Sequence, residues 1–230
     1  MSQMKDIARG LAANGAATRP DNRGYYLLFT DSGRFVVKHW KDGAFGDEQL
    51  VTTSARPDSA AAYIPAIAAN PKPLAICITS ASRVAVFQFS EEEEEWTEDA
   101  TLPALAVHPT GKLAAVLWKE RVHIVFQGTS GELFYVSAAD DYIHNLCETT
   151  SWADAVVASV RVEPLKQLFV ASNEKQDFFE AYALTMDDAV LHVPSGGERT
   201  VTGRVDPDGS YVSTTKAEWA ININLSCVIA

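Results

Sequence analysis

The sequence is poor in basic residues, in long apolar runs and in helix-like windows. It carries 19 Lys and Arg against 30 Asp and Glu, a formal net charge of −11. Binding a phosphate backbone or an anionic membrane needs clustered Lys and Arg, so we expect no nucleic-acid and no membrane partner. No segment approaches the roughly 18 apolar residues of a membrane span, and the N-terminus lacks the apolar core of a signal peptide. A cytoplasmic protein is therefore expected.

Cysteine is scarce as well. The chain has 3 cysteines, Cys77, Cys147 and Cys227, an odd number without metal-ligand spacing, which is typical of free thiols in a reducing compartment. The histidines form no ligand pattern, and no Ser-His-Asp order can be assigned. These absences argue against a hydrolase or a metalloenzyme, and we expect neither a metal nor another cofactor.

What the chain does contain is a series of short runs rich in Val, Ile, Phe and Tyr, separated by Gly, Asp, Ser and Pro. Examples are "YYLLFT", "RFVVKHW", "RVAVFQF" and "RVHIVFQ", which have the length and composition of strands. Only "MKDIARGLAA" and "DSAAAYIPAIAA" suggest a helix, and Gly10 and Pro65 weaken both. The pattern predicts an all-β fold, and we expect residues 1–230 to form a single domain.

Repeated units are suggested by an aromatic or apolar residue followed by a small polar residue, interpreted as the end of each unit's second strand. These doublets are Phe29-Thr30, Phe87-Gln88, Phe126-Gln127 and Ala171-Ser172. A unit of this size cannot bury both faces of its sheet alone, so the copies must pack radially, as in a β-propeller. The sequence predicts a small propeller of four or five blades, closed against the N-terminal unit by the C-terminal "KAEWAININLSCVIA".

The units resemble the blades of fungal fucose-specific lectins of the Aleuria type. Those blades run as "I-A-A-x-x-W", then "I-R-V-Y-Y-Q", then "G-x-I-x-E-x-x-W". Here "LAAVLW" at 113–118, "VHIVFQ" at 122–127 and "GELFYV" at 131–136 match that order. The resemblance implies a lectin-like β-propeller with fewer blades than is usual for the family. Closure of the ring could therefore need a partner chain, which leaves a homo-oligomer open.

The resemblance also implies where a sugar would bind, because those lectins use the Arg and the Glu of the blade motif. At the Arg positions this chain has Tyr26, Val84, His123 and Leu168, and at the Glu positions Val37, Tyr135 and Glu180. No unit keeps both charged residues. Each lost charged hydrogen bond costs about 1.5 to 3 kcal/mol, so we expect negligible affinity for fucose.

The replacements are apolar or aromatic, which favours an apolar small molecule with few polar atoms as the ligand. The resemblance extends to fungal hetero-Diels–Alderases of tropolone-sesquiterpenoid pathways, lectin-like propellers that act as pericyclases. It implies a cofactor-free pericyclase or cyclase of secondary-metabolite biosynthesis, which needs no nucleophile. The alternative is a carbohydrate-binding or protein-binding propeller with a specificity other than fucose, and a scaffold without a small ligand also stays open.

Five residues are predicted to form the site. His123 and Tyr135 are the candidate catalytic residues, because an imidazole or a phenol could donate a hydrogen bond to a substrate oxygen. Tyr26 and Trp118 are predicted to wall the same pocket, and Glu180 is assigned to substrate binding. Each has a structural alternative: packing for the rings and a solvated blade edge for Glu180.

Overall fold

The structure is a computed structural model in which every regular element of the described residues is a β-strand. It describes residues 15–18, 24–41, 43–57, 59–66, 72–118, 121–138, 152, 156–159, 164–173, 178–193, 200–205 and 211–213. The 18 strands, β1 to β18, form four antiparallel sheets, which confirms the all-β prediction. Within this part of the chain, no helix of membrane-spanning length and hydropathy is found.

The first sheet shows how a short turn sets the register of a blade. Its strands are β1 (Gly15–Thr18), β2 (Gly24–Asp31), β3 (Arg34–Lys41), β4 (Ala44–Phe45) and β5 (Gln49–Thr52). Ser32 and Gly33 join β2 to β3, with φ of 52° and 85°, the positive angles of a type I′ turn. This two-residue loop pairs Asp31 with Arg34, and counting outward it places Tyr26 opposite His39.

The second sheet corrects the strand assignment made from the sequence. It contains β6 (Ala61–Ile64), β7 (Leu74–Ile78), β8 (Val84–Ser90) and β9 (Glu95–Glu98), paired in that order. Val84 is therefore the first residue of the third strand of its sheet. It does not lie in the second strand, where the lectin blades carry their Arg. The error arose because the four-residue β6 lies in the Ala-rich segment "DSAAAYIPAIAA", which suggests a helix by its sequence.

The third sheet follows the predicted blade pattern strand by strand. Its members are β10 (Leu113–Trp118), β11 (Arg121–Gln127), β12 (Leu133–Ser137) and β13 (Val156–Ser159). The loop between β11 and β12 pairs Gln127 with Leu133, which brings His123 opposite Ser137 and Val125 opposite Tyr135. The two candidate catalytic residues thus lie on adjacent strands, as the sequence predicts.

The fourth sheet gives a second correction. It is built from β14 (Leu165–Asn173), β15 (Phe178–Thr185), β16 (Ala189–Val193), β17 (Thr200–Val205) and β18 (Tyr211–Ser213). Leu168 lies in its first strand and Glu180 in its second, each one strand earlier in the sheet than the sequence interpretation placed it. The doublet Ala171-Ser172 lies near the end of the first strand and does not mark the end of a second strand. Small polar residues thus also occur inside a long first strand.

The sheets pack side by side through their first strands. β1 contacts β6, β6 contacts β10, and β10 contacts β14, which is the radial packing expected of propeller blades. Buried side chains fill the three interfaces, with one apolar cluster between the first and second sheets, one between the second and third, and one between the third and fourth. The segment "KAEWAININLSCVIA" lies outside the described residues, so the blade count and the closure of the ring remain predictions.

Gly111 is packed so tightly that a side chain at this position would collide with its neighbours. A Cβ there would lie 2.7 Å from Val107 Cγ1, 2.9 Å from the His108 carbonyl oxygen and 3.0 Å from that of Gln127. Gly111→Ala should lower the free energy of unfolding by about 1 to 3 kcal/mol, because two of the three neighbours are backbone atoms that cannot rotate away. Urea unfolding measures this. Gly46→Ala is the matched control, since its nearest atom would lie at 3.7 Å; equal losses in both variants would contradict the prediction.

Candidate functional site

His123 and Tyr135 form a hydrogen-bonded couple in the third sheet. His123 Nδ1 lies 2.5 Å from Tyr135 Oη. The two rings are nearly parallel, with an interplanar angle of 12° and centroids 5.6 Å apart. The structure therefore brings together the two residues that the sequence singles out as catalytic candidates.

The side of the sheet on which this couple lies follows from the alternation of strand residues. Val122, Ile124 and Phe126 belong to the cluster shared with the second sheet, whereas Val125 belongs to the cluster shared with the fourth. Because successive side chains point to opposite faces of a strand, His123 lies on the same face as Val125. The couple thus faces the fourth sheet.

The surroundings of the couple are mainly aliphatic. Tyr135 packs with Ala114 and Val170 against a cluster that contains Val125, Leu165, Leu168 and Ala181. His123 has only 6% of its surface exposed, and Tyr135 is partly buried. A hydrogen bond in such an environment is electrostatically stronger than one in water, and a bound molecule would meet the more exposed phenol first.

Tyr26 lies elsewhere, in an aromatic cluster between the first and second sheets. Its ring stacks on His39 at a centroid distance of 5.0 Å and on Tyr63 at 4.2 Å. Trp96 meets Tyr63 edge-on at 6.2 Å and Phe89 at 5.2 Å. Tyr26 therefore walls a different sheet interface from the one that holds His123, which corrects the expectation of one shared pocket.

Trp118 and Glu180, the other two predicted site residues, can be placed only by their backbone. Trp118 is the last residue of β10, in register with Arg121 at the start of β11. Glu180 is in β15, in register with Ala171 of the first strand of its sheet. Their side chains lie outside the described part of the structure, so their assignment to substrate contact remains a prediction.

The sequence interpretation missed the partners of Tyr26. Trp96 Nε1 is buried, and within the described residues it has no hydrogen-bond acceptor. Two positions along the same strand, Glu98 forms an ion pair with Arg83, whose Nη2 lies 2.7 Å from Glu98 Oε1. The Ser32-Gly33 turn could have predicted the pairing of Tyr26 with His39. The approach of Tyr63 and Trp96 from a different sheet leaves no signal in the spacing of residues.

Nucleophilic chemistry at the described cysteine is disfavoured by its environment. Cys77 is fully buried in β7, and burial raises the pKa of its thiol above the usual range. Because the thiolate is the reactive form, Cys77 is inert at neutral pH. Among the residues that the structure describes, no three His, Cys, Asp or Glu side chains come together as metal ligands do.

Comparison with known proteins shows similarity only at the level of the fold. No protein-family model matches the chain, and no curated protein matches it significantly. The lectin AofleA from Arthrobotrys oligospora is 12% identical with a TM-score of 0.61, over 81% of this chain and 55% of that one. The fucose-specific lectin from Aleuria aurantia is 12% identical with a TM-score of 0.58, over 88% and 64%.

A bacterial structure agrees with these two. The BP39L lectin from Burkholderia pseudomallei is 12% identical with a TM-score of 0.59, over 84% of this chain and 55% of that one. The chain thus spans between about half and two thirds of the length of the lectins it matches. With its four antiparallel sheets packed through their first strands, the chain has the lectin-like β-propeller fold of the Aleuria type.

Proposed function

We propose that the chain binds an apolar, oxygen-bearing small molecule at the interface of its third and fourth sheets and promotes a cofactor-free cyclisation of it. The observation that carries the proposal is the His123–Tyr135 couple. A hydrogen-bonding pair 2.5 Å apart lies among aliphatic side chains, where the lectin blade motif has its charged residues. An apolar wall with one placed polar group is the composition of sites for small organic molecules.

Such a site can promote a pericyclic reaction without forming a covalent bond between the protein and the substrate. Holding a hetero-diene and an alkene in contact removes much of the entropic cost of their encounter. A hydrogen bond between the couple and the oxygen of the hetero-diene would stabilise the charge that develops on that oxygen. The aliphatic surroundings keep water from competing for this hydrogen bond. The reaction we propose is therefore a hetero-Diels–Alder cyclisation or a related ring closure of a secondary metabolite, in the cytoplasm.

Carbohydrate binding is the second candidate, and the cluster around Tyr26 favours it. The stacked rings of Tyr26 and Tyr63 are only partly buried, and the buried Trp96 Nε1, which lacks an acceptor within the described structure, is a hydrogen-bond donor. The nearby Arg83–Glu98 ion pair is half-exposed and combines a charged donor with a charged acceptor, as vicinal hydroxyls require. A sugar would thus bind between the first and second sheets.

Titration with fucose tests whether the chain keeps the sugar specificity of the lectins that it resembles. We expect no measurable heat on calorimetric titration with methyl α-L-fucoside, because Tyr26 and Val37 stand where the lectin motif has Arg and Glu. Binding in the micromolar range would contradict this expectation. If that binding were also lost in Trp96→Phe and kept in Tyr135→Phe, the carbohydrate site at the first interface would replace our proposal.

A direct test measures product formation. The protein is incubated with a hetero-diene that carries a carbonyl or quinone-methide oxygen and with an alkene partner, and the products are separated by chiral chromatography. An excess of one stereoisomer over the uncatalysed mixture supports the proposal. A product ratio equal to that in buffer, for a panel of such substrates, argues against the cyclase.

A further inference from the structure

Ser137 is a buried serine in the same part of the third sheet as the His123–Tyr135 couple. It is the last residue of β12 and lies directly opposite His123 on β11. Side chains of directly opposite residues lie on the same face of a sheet, with Cβ atoms about 4.5 to 5.5 Å apart. Val136 and Ala138 both belong to the cluster shared with the second sheet, so Ser137, which lies between them, faces the fourth sheet. The candidate site therefore contains a third polar side chain, which the sequence interpretation did not single out.

The apolar cluster between the third and fourth sheets ends next to Ser137. Val125 is a buried member of that cluster, and Tyr135 packs against it. The adjacent row of the sheet runs across three strands through Val116, His123 and Ser137. Val116 is only partly buried, and the described members of the cluster do not include it. A molecule that packs at this row would extend the apolar cluster and would meet the Ser137 hydroxyl group.

The hydrogen bonding of the Ser137 hydroxyl group distinguishes it from a structural buried serine. Burying a hydroxyl group without a hydrogen-bond partner costs free energy. Ser59 finds its partners within the protein, because its Oγ donates to the Ala60 carbonyl oxygen at 2.7 Å and accepts from the Ile78 amide at 2.8 Å. Ser137 has only 9% of its surface exposed, yet no hydrogen bond joins its hydroxyl group to another residue in the part of the chain that the structure describes. Its hydroxyl group is thus suited to a partner on a bound molecule.

We infer that Ser137 is a specificity-determining residue of the site, and that its hydroxyl group forms a hydrogen bond with a second oxygen of the ligand. The inference rests on the proposed function, whose ligand class it narrows. Tyr135 and Ser137 are two residues apart on β12, about 6.6 to 6.8 Å between their Cα atoms. The oxygen that meets the couple and the oxygen that meets Ser137 are therefore on different carbons, as at opposite positions of a six-membered ring. A serine hydroxyl group can donate and accept, so an apolar cyclic hydroxyketone or diketone fits this site.

Urea unfolding tests the role of Ser137 without any ligand. Ser137→Ala should leave the unfolding midpoint unchanged or raise it, because the variant removes a buried polar group that contributes no hydrogen bond to the described fold. Ser59→Ala is the matched control and should lower the midpoint, since it removes two hydrogen bonds of a fully buried serine. A midpoint lowered as much by Ser137→Ala as by Ser59→Ala would show that Ser137 supports the fold and would overturn the inference.

A pair of probes tests the ligand class by calorimetric titration. We expect the wild type to bind 4-hydroxy-1-tetralone roughly three- to tenfold more tightly than 1-tetralone, the difference of one neutral hydrogen bond. The ratio should fall to about one in Ser137→Ala, because a site built to bind a second oxygen disfavours the analogue that lacks it. Equal binding of both probes by the wild type, or a ratio kept in Ser137→Ala, would overturn the inference and leave the proposed apolar site in place. If the wild type binds neither probe, the proposed apolar site is contradicted and the inference falls with it.

Discussion

His123→Ala is expected to lower the rate of product formation by about 10²- to 10³-fold, the loss typical of removing one electrostatic contact made in a transition state. The imidazole lies 2.5 Å from the Tyr135 hydroxyl group, so its removal takes away one of the contacts that orient the phenol. The measurement is the initial rate with the hetero-diene and alkene pair that gives a stereochemical excess in the wild type.

The effect of His123→Ala on turnover must be distinguished from an effect on folding. His123 has 6% of its surface exposed, and its truncation also leaves a small cavity, so some decrease in the melting temperature is expected. His192→Ala is the matched control, because His192 contacts Tyr182 at 5.2 Å in the fourth sheet and tests the loss of a comparable ring contact. Unchanged turnover in both His123→Ala and Tyr135→Phe, at any melting temperature, would leave the couple a packing feature and remove the catalytic candidates.

The third sheet could be predicted from the sequence because its local signals agree with one another. A strand of small residues, an apolar strand ending at Gln127 and a Gly-containing turn occur in the order that the structure pairs them. A hairpin register is fixed by its loop, so the proximity of His123 and Tyr135 needs only short-range information. The same holds for Tyr26 and His39 across the Ser32-Gly33 turn.

The second and fourth sheets show where such reasoning stops. Strand composition identifies a strand but not its rank in the sheet, so the sequence alone predicts the wrong strand for both Val84 and Glu180. A first strand as short as Ala61–Ile64 gains its stability from the neighbouring sheets, which local propensity does not record. Likewise, the assignment of Tyr26 and His123 to separate interfaces depends on which sheets pack together, a long-range property of the fold.

Arg56→Ala is expected to cause the largest loss of stability among the polar substitutions, about 3 kcal/mol. The Arg56 side chain reaches from the segment before β6 to the segment before β10, where Nη1 donates to the His108 carbonyl oxygen at 3.0 Å and Nη2 to that of Gly111 at 2.6 Å. Partial burial lowers the pKa of the guanidinium group, but arginine remains charged at neutral pH. Each charged hydrogen bond contributes about 1.5 to 3 kcal/mol, at the lower end where the group is part-exposed.

Urea unfolding of Arg56→Ala against Arg34→Ala tests this expectation. Arg34 lies 3.8 Å from Glu48 with about half of its side chain exposed, and such surface pairs contribute at most about 1 kcal/mol. Arg56→Lys should recover only part of the loss, because a single ammonium group lacks the fork that reaches two carbonyl oxygens. Similar losses for Arg56→Ala and Arg34→Ala would show that the two contacts add little.

The consequence of Arg56→Ala should extend to the candidate site, through the hairpin that the arginine anchors. The His108 amide donates to the Gln127 carbonyl oxygen, and the Gln127 amide donates to that of Lys112, both at 3.0 Å, so the clamped segment holds the end of β11. His123 lies on that strand. Hydrogen exchange at the Gln127 amide should therefore accelerate more in Arg56→Ala than exchange in β2 of the first sheet. Equal acceleration in both strands would indicate a global loss of stability and would contradict a local anchor.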